Sequence, residues 1–438
     1  MAMAGAPKLR CAGVAAAGAL LLASGGTGAA HAAPADVPST AQSATASTAK
    51  GTTYYVDASR GSDDAPGTSA KTAWKSLARV ERAAFKPGDT VAFKRGGKWS
   101  GQLTLRGDGT AQQRITLTSY GLGSRPRISG GADCLDVRGS YWVIANVQVS
   151  GCGWAGVELR GSYNVVAGVR AEKSVAGVVV DDQSHHNTIR DSQIVGNDRM
   201  VAGRNGPDDD AGAFGILLNG DDNLVRRNLI TGSSAPSPDY GQDGAAVEIY
   251  NGDRNRVDFN VTRQNDTFTE LGHAPGKTAA GNVFAYNVVT SSLEYGSFLV
   301  TRGAQDKGLG PVANTLVENN SVYLTGAKTE GWTCYAGCAP GILKLRNNVV
   351  KVGARTGWED AKGADEDTGV YAGGRGTFTP GPRSAFVEPQ FVSATDLHLR
   401  TGSPAAGRAG EPTKYHTDAE GKPVPTDGPR VGAYQETR

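Results

Sequence analysis

The chain has 438 residues, 61 of them glycine, with 20% charged residues and a formal net charge of +2. Few charges and much glycine suit many short strands joined by turns; they exclude a helical bundle, a disordered chain and a basic nucleic-acid surface. A chain of this length accommodates two or three ordinary domains, but no internal linker composition divides it, and a solenoid grows to this size as one unit.

In chain order, the first ten residues carry Lys8 and Arg10 and no acid, and a small apolar run follows from Cys11 to about Ser24. That run is too short for a bilayer span, and Ala30-His31-Ala32 has the small–x–small form of a cleavage site. We expect a signal peptide over 1–32, an extracellular mature protein and a flexible Ala/Ser/Thr/Pro leader over 33–50. No later stretch is apolar enough to span a membrane. Four cysteines remain after the leader, an even number that in an exported chain points to disulfides. Cys134 and Cys152 are 18 residues apart, near one solenoid turn, and Cys334 and Cys338 close a short loop. Both bonds are expected, because ligand spacing for zinc is absent.

The central region repeats. Gly156-Val-Glu-Leu-Arg-Gly-Ser-Tyr-Asn164 and Gly215-Ile-Leu-Leu-Asn-Gly-Asp-Asp-Asn223 are one unit: a short alternating strand, a polar turn and an Asn. Leading asparagines fall at 164, 187, 223, 255, 282 and 314, and a second Asn follows five residues on at 228, 260, 287 and 319. Strand-like repeats of 20–50 residues mean a solenoid. The varying steps read as a basic turn of about 22 residues carrying loops, a pattern that propeller blades of constant length do not give. The asparagines are given a structural role, tolerating left-handed turns and bonding from one turn to the next.

On these rungs the chain resembles the secreted right-handed parallel β-helix proteins of the pectate-lyase-like superfamily. The opening segments Tyr54-Tyr55-Val56-Asp57, Gly61-Ser62-Asp63, Pro66-Gly67-Thr68 and Trp74-Lys75-Ser76-Leu77 add to the resemblance, as do Lys86-Pro87-Gly88-Asp89-Thr90-Val91 and the closing Asp396–Pro404 and Gly432-Ala-Tyr434. It implies an all-β, right-handed parallel β-helix with variable loops: an N-terminal part and cap over 51–130, repeats over 131–350 and a closing segment over 351–438. It also implies a monomer acting on a polysaccharide or oligosaccharide as a lyase or an inverting hydrolase, with no nucleic-acid partner. Fold alone does not decide the chemistry.

Alternation along the strands puts Val157, Leu159, Val247 and Ile249 inside and Glu158 and Glu248 outside. Glu270 and Glu294 follow Glu248 at spacings of 22 and 24, near one turn each. Stacked carboxylates at a rung spacing of about 4.8 Å raise one pKa, as an acid/base pair requires. Glu248 and Glu270 are therefore the expected catalytic pair of a glycoside hydrolase, with Asp243 and Asp266 as supporting carboxylates and no required cofactor. Arg302, Tyr250, Tyr240, His273 and Glu294 are the expected substrate contacts, and Trp154, Tyr295, Trp332 and Tyr335 are further aromatics able to stack on sugar rings. Asp208, Asp209 and Asp210 form a loop of hard oxygen ligands of the kind Ca²⁺ takes, without EF-hand spacing. Elimination from a uronate, the alternative chemistry, needs a Lys or Arg base, and the rungs before Arg302 show Tyr250, Asn251 and His273 instead. A non-catalytic binding solenoid is the third reading. The long loops at 196–214 and 231–245 beside Glu248 favour a built groove.

Overall fold

The computed structural model describes residues 51–201, 210–361, 363–408, 410–425 and 428–438. The expected signal peptide and leader, and Asp208 and Asp209, lie outside the described residues. Three long parallel sheets run the length of the chain, two of twelve strands and one of ten. Each coil contributes one strand to each sheet, first as in Thr90–Lys94, Lys98–Ser100 and Leu103–Leu105. Among the described residues ten coils are complete, the tenth ending at Arg355–Ala361. The sheets extend from Thr53–Val56 to Ala385–Phe386, so the helix continues across residues 130 and 350.

Most strands are only three to five residues long, and in the first two sheets many bury a single central side chain, as in Val165–Ala167 and Thr188–Arg190. Stacking these positions builds one continuous core that includes Val157, Leu159, Val247 and Ile249, all fully or almost fully buried. Where the core widens, Phe268 and Phe298 stack with ring centroids 5.5 Å apart. The same inward column carries Gly177 and Gly215, where an added Cβ would come within 2.4 Å of the Ile194 side chain and of the Ala246 carbonyl.

The first ladder is as spaced in sequence: backbone N–H groups of Asn164, Asn187, Asn223 and Asn255 donate to the side-chain oxygens of Asn187, Asn223, Asn255 and Asn282. Its next member is not Asn314. Leu316 pairs with Val283, which gives the buried place to Thr315, while Asn314 is exposed with φ 57°. The second ladder likewise runs Asn228, Asn260, Asn287, Asn320 and Asn348, with Asn319 set aside at φ 53°. The left-handed residue is the one before each ladder Asn (Tyr163, His186, Asp222 and Arg254), so the expected tolerance of that turn by the ladder Asn itself is corrected.

Two antiparallel hairpins, Met200–Val201 with Ala211–Gly212 and Ala235–Ser237 with Gly241–Asp243, stand at the entrance to the ten-stranded sheet. At the N-terminal end the short helix Leu77–Glu81 buries Leu77 and Val80, and Glu81 Oε1 accepts the Thr104 N–H of the edge strand at 2.7 Å. At the other end residues 374–377 bond to the last strand through Gly374, Gly357 and Thr377. The closing segment lays Phe391, Leu397, Leu399, Val431 and Ala433 over Val288, Val349 and Val370 of the second twelve-stranded sheet. Both disulfides are present, Cys134–Cys152 and Cys334–Cys338, each with Cα atoms 5.5 Å apart.

Candidate active-site groove

The outer face of the ten-stranded sheet places in register Asp136, Glu158, Val179, Leu217, Glu248, Glu270, Val300, Thr333 and Trp358. Glu248 and Glu270 are thus neighbours, as their spacing implies. Glu294 is not the next member: Val300 holds that place, and Glu294 sits in the preceding turn, 56% exposed and 3.5 Å from Lys328 Nζ.

Glu270 does not face Glu248 as an unbalanced charge. It is buried against the Arg302 guanidinium, which is 2% exposed and also donates to the Leu271 carbonyl at 2.7 Å. Asp306 adds a second carboxylate 3.7 Å from Arg302 Nε. The Coulomb strain that marks an acid/base pair is therefore relieved at Glu270. His273 is also corrected: it is buried, with Nδ1 2.9 Å from the Ala274 carbonyl and Nε2 3.1 Å from that of Pro311. Trp332 is fully buried against Phe378 and belongs to the core. Asp266 is buried before Thr267–Gly272, and Asp243 accepts the Gly244 N–H at 2.8 Å. Asp210 accepts from Ser237 Oγ at 2.7 Å and Asp239 N–H at 3.1 Å, tying the two hairpins together. Among the described residues no group of three or more His, Cys, Asp or Glu is arranged to hold a metal ion.

Three cavities lie along the face. One of about 300 Å³ is lined by Trp154, Glu158, Arg160, Asp181, Glu248 and Tyr250. A second, about 600 Å³, holds Tyr240, Tyr295, Arg302, Lys328, Glu330 and Tyr335; a third of similar size joins Tyr240 and Tyr295 to Asp266 and Glu294. Lys328 Nζ donates to the Tyr295 hydroxyl at 2.7 Å.

The charged centre of the first cavity was missed in the sequence. Glu158 is 4% exposed, and burial, reinforced by the Asp133 charge, pushes its carboxyl up to about 8. Its Oε1 is 3.1 Å from Arg160 Nη2, while Arg160 Nη1 is 2.9 Å from Asp181 Oδ2. One guanidinium thereby bridges the two carboxyl groups and keeps them within about 8 Å of each other. Burial and a hydrogen bond to Asp182 also raise Asp181; Asp182, despite its own burial, is held low by hydrogen bonds from Asp181 and Lys277. The sequence carries a signal for this centre: Asp136-Val-Arg138 and Glu158-Leu-Arg160 repeat an acid–x–Arg pair one coil apart. Apolar Val179, Phe214 and Leu217 cluster on the same outer face, with Trp154 and Tyr250 packed against them.

A family model described as right handed beta helix region matches residues 125–304. The chain is a right-handed parallel β-helix. It superposes on the crystal structure of pectate lyase Pel9A with a TM-score of 0.61 at 15% identity, over 89% of this chain and 97% of that one. It also superposes on the complex of XylC with xylose with a TM-score of 0.54 at 9% identity, over 88% and 98%. In sequence it is similar to alpha-1,3-galactosidase A of Akkermansia muciniphila, 36% identical over 64 residues. That match covers 15% of this chain and 11% of that curated relative. At such identities the structural likeness is one of fold.

Proposed function

We propose that this β-helix is an exported polysaccharide-active enzyme that hydrolyses glycosidic bonds in the groove of its ten-stranded sheet. The observation that carries the reading is Glu158, a carboxyl buried in the wall of an open cavity, where burial raises its pKa, with a second carboxyl close by. Glycoside hydrolysis needs such a pair, a proton donor at the leaving oxygen and a carboxylate on the other side. Glu158 is the proton donor, and the Asp181–Asp182 pair is the base or nucleophile. The upper bound of about 8 Å set by Arg160 admits the separation of retaining hydrolases and the shorter part of the inverting range. Trp154 and Tyr250 offer apolar faces to pyranose rings. Glu248, the Glu270–Arg302 pair and Tyr240 line the continuation of the groove as substrate contacts. Relatives named as a pectate lyase, a xylose complex and a galactosidase accord with a glycan substrate. The signal-like residues 1–32 and two disulfides accord with export.

A second reading has its own observation. Lys328 on the Tyr295 hydroxyl, beside Arg302 and Tyr335, groups a base with a cation, as elimination from a uronate requires. One experiment separates the two: the mature protein incubated with a panel of neutral and acidic polysaccharides. Hydrolysis yields reducing ends alone; ultraviolet absorbance of an unsaturated uronate, lost in Lys328→Met and kept in Glu158→Gln, would move the chemistry to the second cavity. The anomer first formed, read by proton NMR, then decides retention or inversion.

A further inference from the structure

We propose that Asp133 is a positioning residue for the proton of Glu158, and that the Cys134–Cys152 disulfide holds Asp133 in place. The proposal rests on the reading of Glu158 as proton donor.

Glu158 Oε2 is buried, and no N–H or hydroxyl among the described residues reaches it. The neighbouring acid is the Asp133 carboxyl, itself 6% exposed, which shares Arg160 Nη2 with the Glu158 carboxyl and hydrogen-bonds with it. Two carboxyl groups form a hydrogen bond only when one carries a proton, so the contact defines where that proton lies. Asp133 cannot drift from it. Its Oδ1 accepts the Ala155 N–H at 3.3 Å, and its Oδ2 is 3.9 Å from Arg160 Nη2. Asp133 is bonded directly to Cys134, and Ala155 stands three residues after Cys152. The disulfide therefore joins the two turns that supply this contact. Around it Gly153 N–H donates to the Gly131 carbonyl at 2.8 Å, Trp154 N–H to that of Ala132 at 2.6 Å, and Cys134 N–H to that of Ala155 at 3.0 Å. The same turn presents Trp154 to the cavity, so one staple sets both the acid's partner and the aromatic wall. Cys334–Cys338 lies six coils away and is a matched control for the loss of a disulfide.

The test follows the infrared C=O band of a protonated carboxyl through a pH titration of the folded mature protein, with Glu158→Gln assigning the band. In the parent protein the assigned band disappears with a midpoint near 8. Asp133→Asn and the double variant Cys134→Ala/Cys152→Ala each lower that midpoint by a pH unit or more, a tenfold change in proton affinity, whereas Cys334→Ala/Cys338→Ala leaves it in place. An unchanged midpoint in Asp133→Asn overturns the role of Asp133, and one in the folded double variant overturns that of the disulfide. Should the double variant not fold, the same titration after reduction of the Cys334→Ala/Cys338→Ala variant, which keeps Cys134–Cys152, takes its place. If Glu158→Gln removes no band at neutral pH, the proton-donor reading itself is withdrawn, a result distinct from failure of the positioning.

Discussion

A carboxyl group buried beside another is tolerated only when one of the two keeps its proton, and Glu158 meets that condition against Asp133. Two outcomes follow at the residue scale. Glu158→Gln lowers turnover on an identified substrate at least a hundredfold, the usual worth of general acid assistance being about 10²–10⁴. The same substitution changes how stability depends on pH. Glu158 has a folded pKa raised from 4.5 to about 8, so the stability it contributes is full below 4.5 and is lost as pH rises towards 8. In thermal melts between pH 5 and pH 8 the parent therefore loses stability relative to Glu158→Gln, and a constant difference would count against the assignment. Glu270→Gln behaves otherwise. It leaves Arg302 buried with a weaker partner and costs about 3 kcal/mol of unfolding free energy in urea titration. The adjacency of Glu248 and Glu270 was legible because it follows from a 22-residue spacing. The neutralisation of Glu270 was not, since Arg302 reaches it from the next strand and no local pattern records that approach. Glu158 was legible as an outward residue, and Arg160 lies two residues after it, but its buried setting also depends on Asp133 and Asp181 from the neighbouring coils.

At the scale of the element, the asparagine ladders bear the turns. Asn260 accepts N–H groups from both the backbone and the side chain of Asn228 and donates to the Val225 carbonyl at 3.0 Å. Asn260→Ala strands these buried groups and costs about 2–3 kcal/mol in urea titration. The corrected register is checked by its neighbours: Asn320→Ala is as costly, while Asn314→Ala, at an exposed position, changes stability by less than about 0.5 kcal/mol. The pattern Asn–x₄–Asn was readable because the second asparagine repeats five residues after the first. It misled at 314 and 319 because Thr315 occupies the ladder site and Asn320 directly follows Asn319. A repeat read by residue type slips when a different side chain fills the same hydrogen-bonding place.

Across the whole molecule, the class of fold was plain in the sequence because each coil touches only its neighbours, so a local pattern repeated along the chain amounts to the architecture. The hairpins and the closing segment were less legible, since they occur once and have no period. The ends of the solenoid also occur once, and their chemistry fixes how the molecule behaves in a crowd. Every internal strand finds a partner above and below; the first strand of the ten-stranded sheet has Glu81 in place of one, and the last has residues 374–377. Those stoppers are what make the object finite. Glu81→Ala exposes a ready-made strand edge at one pole while the other stays shut, so molecules can join through the open pole only, and growth stops at pairs. Deleting residues 374–377 in the same chain opens both poles, and each molecule becomes a link that accepts another at either end. Light scattering and electron microscopy should then show concentration-dependent dimers for the first variant and filaments for the second; monomers in both would mean that the twist of the coils, rather than its stoppers, sets its length.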